Sequence, residues 1–251
     1  MDVLTKNCSL ATALVLTIAT MIGACPRTVF GQFDPSAAGL PQRRIVAESR
    51  FAVTDASQQT ELVSLVVDFV PGAWTSLHTH GGQAINLVLE GEITLRHAGM
   101  EMPHRAGQGW TDSTGQVHSA GNSGGGKARL LTNFLLPKGA TQITVIEESK
   151  LEPVIVHEVR VPLVMLASDT EIVQQVADLA AGWRAERIFD GFVAGVVMGG
   201  EITYQLGGER KSYKAGEAWS APAGALVVEE NVSASVARVF TTYLLPSTAR
   251  Q

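Results

Sequence analysis

Cysteine is almost absent from this chain of 251 residues, which contains only two. Both of them, Cys8 and Cys25, lie near the N-terminus. The rest of the protein can therefore contain neither a disulfide bond nor a metal site built from thiolates. A bound metal ion would have to be held by histidine, carboxylate or amide side chains.

Basic residues are outnumbered and do not cluster. The chain has 19 Lys and Arg against 24 Asp and Glu, which gives a formal net charge of −5 at pH 7. Nucleic acids bind to basic patches, because their phosphate backbone is negatively charged. The composition therefore predicts no nucleic-acid partner.

A long hydrophobic run is also lacking, since the one apolar stretch, residues 10–24, is short for a membrane span. An apolar run of this length behind a basic residue, here Lys6, is typical of the core of a signal peptide. We predict a signal peptide over residues 1–31, export to the periplasm or the medium, and no membrane span. An uncleaved N-terminal helix is the alternative, because Asp2 offsets the charge of Lys6.

Two cleavage positions are compatible with this segment. The first follows Gly31 and leaves a secreted protein without an anchor, which is the reading we favour. The second precedes Cys25, because Ile22-Gly23-Ala24-Cys25 resembles the lipoprotein box of bacteria. Cleavage there would leave a lipid anchor on Cys25.

Residues 32–50 are predicted to form a linker, because their first part contains two prolines and no periodicity. After the linker, short apolar segments alternate with glycine-rich turns, and there is hardly any helical pattern. Such spacing is typical of an all-β barrel or sandwich. The clearest predicted strands are Val63–Val70, Ala84–Leu89, Glu92–Leu95 and Leu130–Leu136.

The chain repeats itself: Gly-Glu-Ile-Thr occurs at residues 91–94 and again at 200–203, an offset of 109. The same offset relates Trp74 to Trp183, Trp110 to Trp219, and Asn122 to Asn231. Residues 170–181 are predicted to be a strand, although their pattern also suits a helix, because their counterpart in the first copy is a predicted strand. We predict two copies of one β-barrel domain, at residues 51–150 and 151–251.

The stretch from Gly72 to Asn122 contains a pattern of histidines. His78 and His80 are two residues apart, so in a β-strand both side chains leave on the same face. His118 can join them from a later strand, and three imidazoles that meet can hold a divalent metal ion. The remaining histidines have no spacing that ties them to this group, and we predict surface or structural roles for His97, His104 and His157.

This stretch resembles the two sequence motifs of the cupin family. The first motif is Gly, five residues, His-x-His, three residues, an acidic position, six residues and Gly, and residues 72–91 match its spacing. The second is Gly, five residues, Pro-x-Gly, two residues, His, three residues and Asn, and residues 107–122 match it. The resemblance, with the repeat, implies an all-β bicupin: two tandem jelly-roll β-barrel domains of the cupin_2 type.

Two residues depart from the motifs. Ser113 stands where the motif has Pro, and Ala84 stands where it usually has a glutamate, the fourth metal ligand. A site of three histidines alone is neutral and leaves more positions of the ion open. Gln83, beside the Glu position, is a candidate weak fourth ligand or hydrogen-bond partner of a bound group, and a solvent-facing Gln83 is the alternative. Asn86 is a second candidate for such a supporting role.

The second copy has lost the predicted ligands. The offset takes His78, His80 and His118 to Arg187, Phe189 and Val227. The C-terminal domain is therefore predicted to keep the scaffold without the metal. Arg187 could bind an anion inside that barrel, or it could be a surface or salt-bridged residue.

The run from His78 to Gly91 resembles the corresponding stretch of ring-cleaving cupin dioxygenases, such as gentisate 1,2-dioxygenase. That resemblance implies iron as the metal, O₂ as a co-substrate and an aromatic substrate with adjacent hydroxyl and carboxylate groups. Other cupins with three histidines cleave diketones or flavonols, so Mn, Ni, Cu and Zn stay open as alternatives.

We therefore expect an exported, metal-dependent dioxygenase that acts on a small chelating molecule, with no protein side chain identified as the catalytic group. The alternatives are a non-catalytic protein that binds a metal or a small ligand, and a metal-dependent lyase or isomerase, because one fold hosts many functions. Homo-oligomerisation stays open. Four apolar residues are candidates to line the pocket or to belong to the plain core: Trp74, Ile85, Leu87 and Trp110.

Overall fold

The computed structural model describes residues 42–164 and 166–247, so the predicted signal peptide and most of the predicted linker lie outside the described residues. Within these ranges the chain forms strands and one short 3-10 helix, Ala56–Gln58. None of the helices in this part of the chain is long and apolar enough to cross a membrane. The strands are β1 (Arg43–Ala52), β2 (Gln59–Phe69), β3 (Leu77–Thr79), β4 (Gln83–Glu90), β5 (Glu92–His97), β6 (Met100–Arg105), β7 (Gly109–Asp112), β8 (His118–Gly121), β9 (Ala128–Pro137), β10 (Thr144–Glu147), β11 (Val154–Pro162), β12 (Thr170–Leu179), β13 (Arg184–Ile188), β14 (Phe192–Gly199), β15 (Glu201–Leu206), β16 (Glu209–Lys214), β17 (Ala218–Ala221), β18 (Leu226–Glu230) and β19 (Ala237–Pro246).

The strands form four antiparallel sheets, two for each copy of the repeat. In the first copy, the inner sheet has the order β11-β2-β9-β4-β7 and the outer sheet β10-β3-β8-β5-β6. In the second copy, the inner sheet is β1-β12-β19-β14-β17 and the outer sheet β13-β18-β15-β16. The predicted all-β class, the four predicted strands and the strand at residues 170–179 are confirmed, and the two copies are tandem jelly-roll barrels.

The strands at the centre of the inner sheets are apolar on both faces. On β9, Leu130 and Phe134 point into the first barrel, whereas Leu131 and Leu135 point away from it. The outward side chains pack in two clusters with residues of the second copy's inner sheet, such as Ile172. Because side chains alternate along a strand, burial of both faces requires a nearly continuous apolar run. The two inner sheets therefore pack face to face, and their contact joins the barrels.

The two copies also exchange their first strands. Strand β1 lies before the first barrel in sequence, yet it pairs with β12 of the second. Strand β11, which lies after the predicted boundary at residue 150, pairs with β2 of the first. Residues 43–50, which the sequence placed in the linker, are thus a strand whose partner lies more than a hundred residues away. A local pattern gives no information about such a distant partner.

Residues related by the repeat offset meet at the centre of the contact between the barrels. Asn133 Nδ2 donates a hydrogen bond of 3.0 Å to Thr242 Oγ1, and these positions are 109 residues apart. Ser64 in turn donates to Asn133. Equivalent positions can meet only close to an approximate two-fold axis, so the barrels are related by such an axis.

An ion-paired aspartate ties β2 to β9 in the first copy. Asp68 pairs with Arg129, at 2.8 Å between Oδ2 and Nη2, and with Lys127 Nζ at 2.7 Å. The hydrogen bond from Arg129 is the main cause that lowers the pKa of Asp68 from 3.8 to about 2. The second copy has the same pair in Asp178 and Arg238.

We predict that this pair makes stability depend on pH. Because the pKa of Asp68 is lower in the folded chain, the stabilisation is full above pH 3.8 and is lost as the pH falls through about 2. After allowance for solvent screening it amounts to about 1–2 kcal/mol. Asp68→Asn should lower the free energy of unfolding by this amount at pH 7, and the difference from wild type should shrink towards pH 2. Urea unfolding measures it.

The matched control is Glu101→Gln, because Glu101 forms an ion pair with Arg96 in which both side chains are at least half exposed. This variant should change the free energy of unfolding by less than about 0.5 kcal/mol. Equal stability of Asp68→Asn and wild type at pH 7 would contradict the prediction.

Candidate metal centre

Three histidines meet inside the first barrel. His78 lies on β3, His80 directly follows it, and His118 begins β8, where it pairs with His78 across the sheet. Their ligand nitrogens all lie within 4.8 Å of one another, and each side chain is at most 4% exposed. In the part of the chain that the structure describes, this is the one group of His, Cys, Asp and Glu that could hold a metal ion.

Backbone carbonyls orient each imidazole. His78 Nδ1 donates to the carbonyl oxygen of Ser76 at 2.6 Å, and His118 Nδ1 donates to that of Gln116 at 3.0 Å. His80 Nδ1 donates to the carbonyl oxygen of Gln142 at 3.2 Å. A carbonyl can only accept, so each Nδ1 carries the hydrogen and each Nε2 is left with a free lone pair. This is the arrangement in which histidine binds metals.

Two of the free Nε2 atoms are so close that their lone pairs repel each other unless a cation lies between them. His80 Nε2 and His118 Nε2 are 3.2 Å apart, and with both Nδ1 atoms protonated neither Nε2 has a hydrogen to share. Two nitrogens that bind one ion at about 2.1 Å would lie about 3.0–3.4 Å apart in octahedral or tetrahedral geometry. His80 and His118 therefore have the spacing of two ligands of one divalent ion, which would replace the repulsion between their lone pairs by two coordinate bonds, and His78 lies within reach as the third.

Burial favours the neutral form of His78 and His80. Loss of hydration, together with the neighbouring His78 and His118, lowers the pKa of His80 from 6.5 to about 3. Burial also lowers the pKa of His78. A neutral imidazole is the form that binds a metal ion, so the lowered pKa values of His78 and His80 favour metal binding.

A close backbone approach places the carbonyl that orients His80. Gly81 N donates to the carbonyl oxygen of Thr141 at 2.9 Å, which brings the neighbouring Gln142 carbonyl to His80. A Cβ atom on Gly81 would lie 2.3 Å from Thr141 O, closer than any real contact. The first glycine of the His-Gly-Gly sequence is therefore required by packing.

The histidines form part of the wall of a cavity of about 300 Å³. Most of its other lining is apolar, and the apolar wall reaches the surface at Ile143, Val145 and Ile155, which are exposed. Among the described residues no lysine or arginine lines it, and two carboxylates do, Asp112 and Glu152. The cavity therefore combines an apolar body with a region suited to a cation.

Sequence reasoning missed both carboxylates. Asp112 Oδ2 is 3.5 Å from His118 Nε2, and burial raises the pKa of this carboxyl group, opposed mainly by His118. Glu152 accepts a hydrogen bond from Ser76 Oγ and lines the mouth of the cavity. Comparison of the two copies could have revealed Asp112. It lies on the same face of β7 as Trp110, and like the three histidines it is replaced in the second copy, here by Ala221. Nothing local marks Glu152, which follows the predicted domain boundary.

Gln83 is not brought to the site. Its Oε1 accepts a hydrogen bond from Thr54 N at 2.8 Å, and its Nε2 donates to the carbonyl oxygen of Ala52 at 3.0 Å. Both amide atoms are thereby used to hold the turn between β1 and β2. Asn86, the weaker candidate, does reach the site, where its Nδ2 donates to Asp112 Oδ2 at 2.8 Å.

The four apolar candidates have different positions. Trp110 lines the cavity. Ile85 and Leu87 face the second barrel, because they alternate with the inward-facing Asn86 on β4. Trp74 stacks under the Arg96 guanidinium, which is 3.5 Å from the ring centroid, and lies outside the cavity lining.

The remaining histidines lie apart from the cluster. His97 Nδ1 donates to the carbonyl oxygen of Val117 at 2.9 Å, and His104 stacks on Trp110 at 4.5 Å between ring centroids. Burial lowers the pKa of His104. His157 lies on β11, where its ring packs near Gly216 of the second copy.

The second barrel has an ion pair and aromatic rings in the equivalent region. Arg187 Nε is 3.2 Å from Glu229 Oε2, so Arg187 is salt-bridged, as one of the two sequence-based alternatives predicted. Burial raises the pKa of Glu229, and Arg187 opposes that effect. Phe189 packs with Tyr243, and Val227 is 1% exposed. A smaller cavity of about 200 Å³, lined by Trp219, Ala221 and Val227 among others, lies in this region, and none of the described imidazoles lines it.

We predict that His118→Ala lowers the affinity for Co²⁺ or Mn²⁺ by more than about 100-fold. Mutation of a residue that only hydrogen-bonds to a metal ligand costs about 10–100-fold in affinity, and loss of the ligand itself should cost more. Titration calorimetry on chelator-treated protein measures this. Addition of the ion should raise the melting temperature of the wild type but not of the variant. His157→Ala is the matched control and should bind like the wild type. A variant lacking His118 that keeps one full equivalent of metal would contradict the assignment.

Comparisons with known proteins agree with this architecture. Residues 65–134, which contain all three histidines, match the family model of the cupin domain. The comparison with curated proteins gave no match. Among solved structures, AerE from Microcystis aeruginosa is similar with a TM-score of 0.53 and 16% identity, over 88% of this chain and 97% of that chain.

Oxalate decarboxylase from Bacillus subtilis, in its structure at pH 4.6, is similar with a TM-score of 0.53 and 12% identity, over 82% of this chain and 74% of that chain. At such identities the likeness concerns the fold alone. It extends over both barrels, in agreement with the internal repeat. The chain thus has the fold of two tandem cupin barrels, of which the first matches the cupin domain model and carries a three-histidine group that could hold a divalent metal ion.

Proposed function

We propose that this bicupin binds one divalent transition-metal ion through His78, His80 and His118 and acts as a metal-dependent dioxygenase on a small molecule that chelates the ion. The observation that carries the proposal is the convergence of three imidazole nitrogens on the wall of a largely apolar cavity. A redox-active ion such as iron, held by three neutral ligands, would supply open positions at which a chelating substrate and O₂ can meet.

The chain's own residues have three tasks in this scheme. The carbonyls of Ser76, Gln116 and Gln142 keep the Nε2 lone pairs pointed at one position. Apolar side chains such as Phe134 and Leu65 exclude water and hold the organic part of the substrate. The exposed apolar residues at the mouth give such a molecule a path from solvent.

The charges of the cavity favour a substrate that is neutral or carries one negative charge. With two carboxylates and no Lys or Arg in the lining, a small dianion would find only the metal to balance its charge. Diketones, flavonols and aromatic hydroxy-acids combine a pair of chelating oxygens with an apolar body. These classes are therefore the substrates we propose.

A lyase is the rival enzyme class. Bacillus subtilis oxalate decarboxylase, whose fold is similar, has Mn(II) centres. Manganese is accordingly the second metal we propose after iron. Oxalate itself is a small dianion and fits the charge of this cavity less well than the larger chelators do.

The test is O₂ consumption by protein loaded separately with Fe²⁺ and Mn²⁺. We expect a diketone such as pentane-2,4-dione, a flavonol or gentisate to give turnover that is lost in His78→Ala and retained in His157→Ala. Oxalate serves as the comparison substrate, with release of CO₂ as its readout. Metal-dependent CO₂ release without O₂ uptake would establish the lyase instead, and tight binding of a chelator without turnover would establish a binding protein.

We further propose that the protein is exported, on the basis of the apolar run at residues 10–24 behind Lys6. N-terminal sequencing of protein recovered from a bacterial periplasm should then start after residue 31. A chain that begins at Cys25 with an attached lipid would establish the anchored alternative. Recovery of the whole chain from the cytoplasm, with its first residues intact, would contradict export.

A further inference from the structure

A carboxylate lies beside the three-histidine group without being part of it. Asp112 Oδ2 is 3.5 Å from His118 Nε2, and both side chains are at most 3% exposed. The nitrogens of His78, His80 and His118 form the tight group, and Asp112 does not belong to it. Asp112 is therefore placed next to a metal ion rather than among its three nitrogen ligands.

This carboxylate lies directly across the sheet from the position of the missing glutamate. Ala84 on β4 is paired with Asp112 on β7. Side chains of directly paired residues leave on the same face of a sheet, with their Cβ atoms about 5 Å apart. A side chain from position 112 can therefore bring a carboxylate into the region that a glutamate at position 84 would reach.

Neutral donors hold the carboxylate in place. Asn86 Nδ2 and Trp110 Nε1 donate to Oδ2, at 2.8 Å and 3.1 Å. Thr132 Oγ1 donates to Asn86 Oδ1 at 2.8 Å, which orients the amide. No Lys or Arg among the described residues pairs with Asp112. A buried negative charge without a cation is costly, and a metal ion in the histidine group would provide the missing positive charge.

The second barrel supports a link between this carboxylate and the metal. The repeat offset takes Asp112 to Ala221 and Asn86 to Gly195, so both polar groups are lost where the histidines are lost. The surrounding scaffold is kept: Trp110 corresponds to Trp219, and Thr132 to Thr241. Trp219 Nε1 is consequently buried without an acceptor. The barrel folds without the carboxylate, so folding alone does not require it.

We propose that Asp112 is the charge-balancing carboxylate of the metal site and replaces, from the neighbouring strand, the glutamate that is missing at position 84. It accepts a hydrogen bond from a water molecule or a substrate hydroxyl group that occupies the open part of the site beside His118. This inference rests on the proposed metal binding in the first barrel and adds a positioning residue to it.

The experiment measures the dissociation constant of Mn²⁺ or Co²⁺ in chelator-treated protein by titration calorimetry. Asp112→Asn, which keeps the shape and removes the charge, should still bind one equivalent but about 10–100-fold more weakly. Asp112→Ala should do the same and is expected to fold, because the second barrel has Ala221 at this place. Glu229→Gln is the matched control, a buried carboxylate of the second barrel, and should bind within about twofold of the wild type.

A second variant separates charge from structure. Ala84→Glu, combined with Asp112→Asn, returns one carboxylate to the site. The double variant should bind the metal at least about tenfold more tightly than Asp112→Asn alone. If Asp112 had only a structural role, a carboxylate at position 84 would not restore the affinity. Unchanged affinity in both Asp112 variants would overturn this proposal while leaving the metal site intact. Failure of the wild type to bind any divalent ion would overturn the metal site itself, and this proposal with it.

Discussion

Both faces of the two inner sheets are buried, one against the interior of its own barrel and the other against the neighbouring barrel. Strand β9 shows the consequence, because Phe134 on one face contacts His80 while Leu135 on the other packs in a cluster shared with the second copy. A substitution on one face of β9 therefore also affects the packing of the side chains on its other face. The histidines lie on or beside β3 and β8 of the outer sheet, and the inner sheet, which is packed on both faces, forms the opposite wall of their cavity.

The exchange of first strands makes the barrels depend on each other. The first barrel receives β11 from beyond the predicted boundary, and with this connection come Glu152 and Ile155 at the mouth of its cavity. The second receives β1, which precedes the first barrel in sequence. The C-terminal copy, although it lacks the three histidines, therefore has a structural role. Its inner sheet covers the apolar face of the first copy's inner sheet that points away from the first barrel.

The two barrels show what a metal site adds to a common scaffold. Both keep the asparagine of the second motif, Asn122 and Asn231, and in both its amide donates to the backbone carbonyl at the end of β2 or β12 and to one in the adjoining loop. That residue belongs to the fold. The histidines, Asp112 and Asn86 occur only in the first copy, whereas the smaller cavity of the second copy is lined by rings such as Tyr204 stacked on Trp219. The difference between copies separates the residues of the candidate site from those that both barrels share.

The sequence by itself determined the all-β class, the repeat and the three histidines, because strand periodicity, a fixed offset and motif spacing are local properties of the chain. Only the tertiary structure decided which strand pairs with which, and so it alone brought β1 to the second barrel and paired Asp112 with Ala84. The same applies to Gln83, which lies next to the predicted ligand position but binds the backbone of a distant turn. Side-chain direction after the two glycines depends on close packing against residues 135 and 141, which no spacing in the sequence encodes.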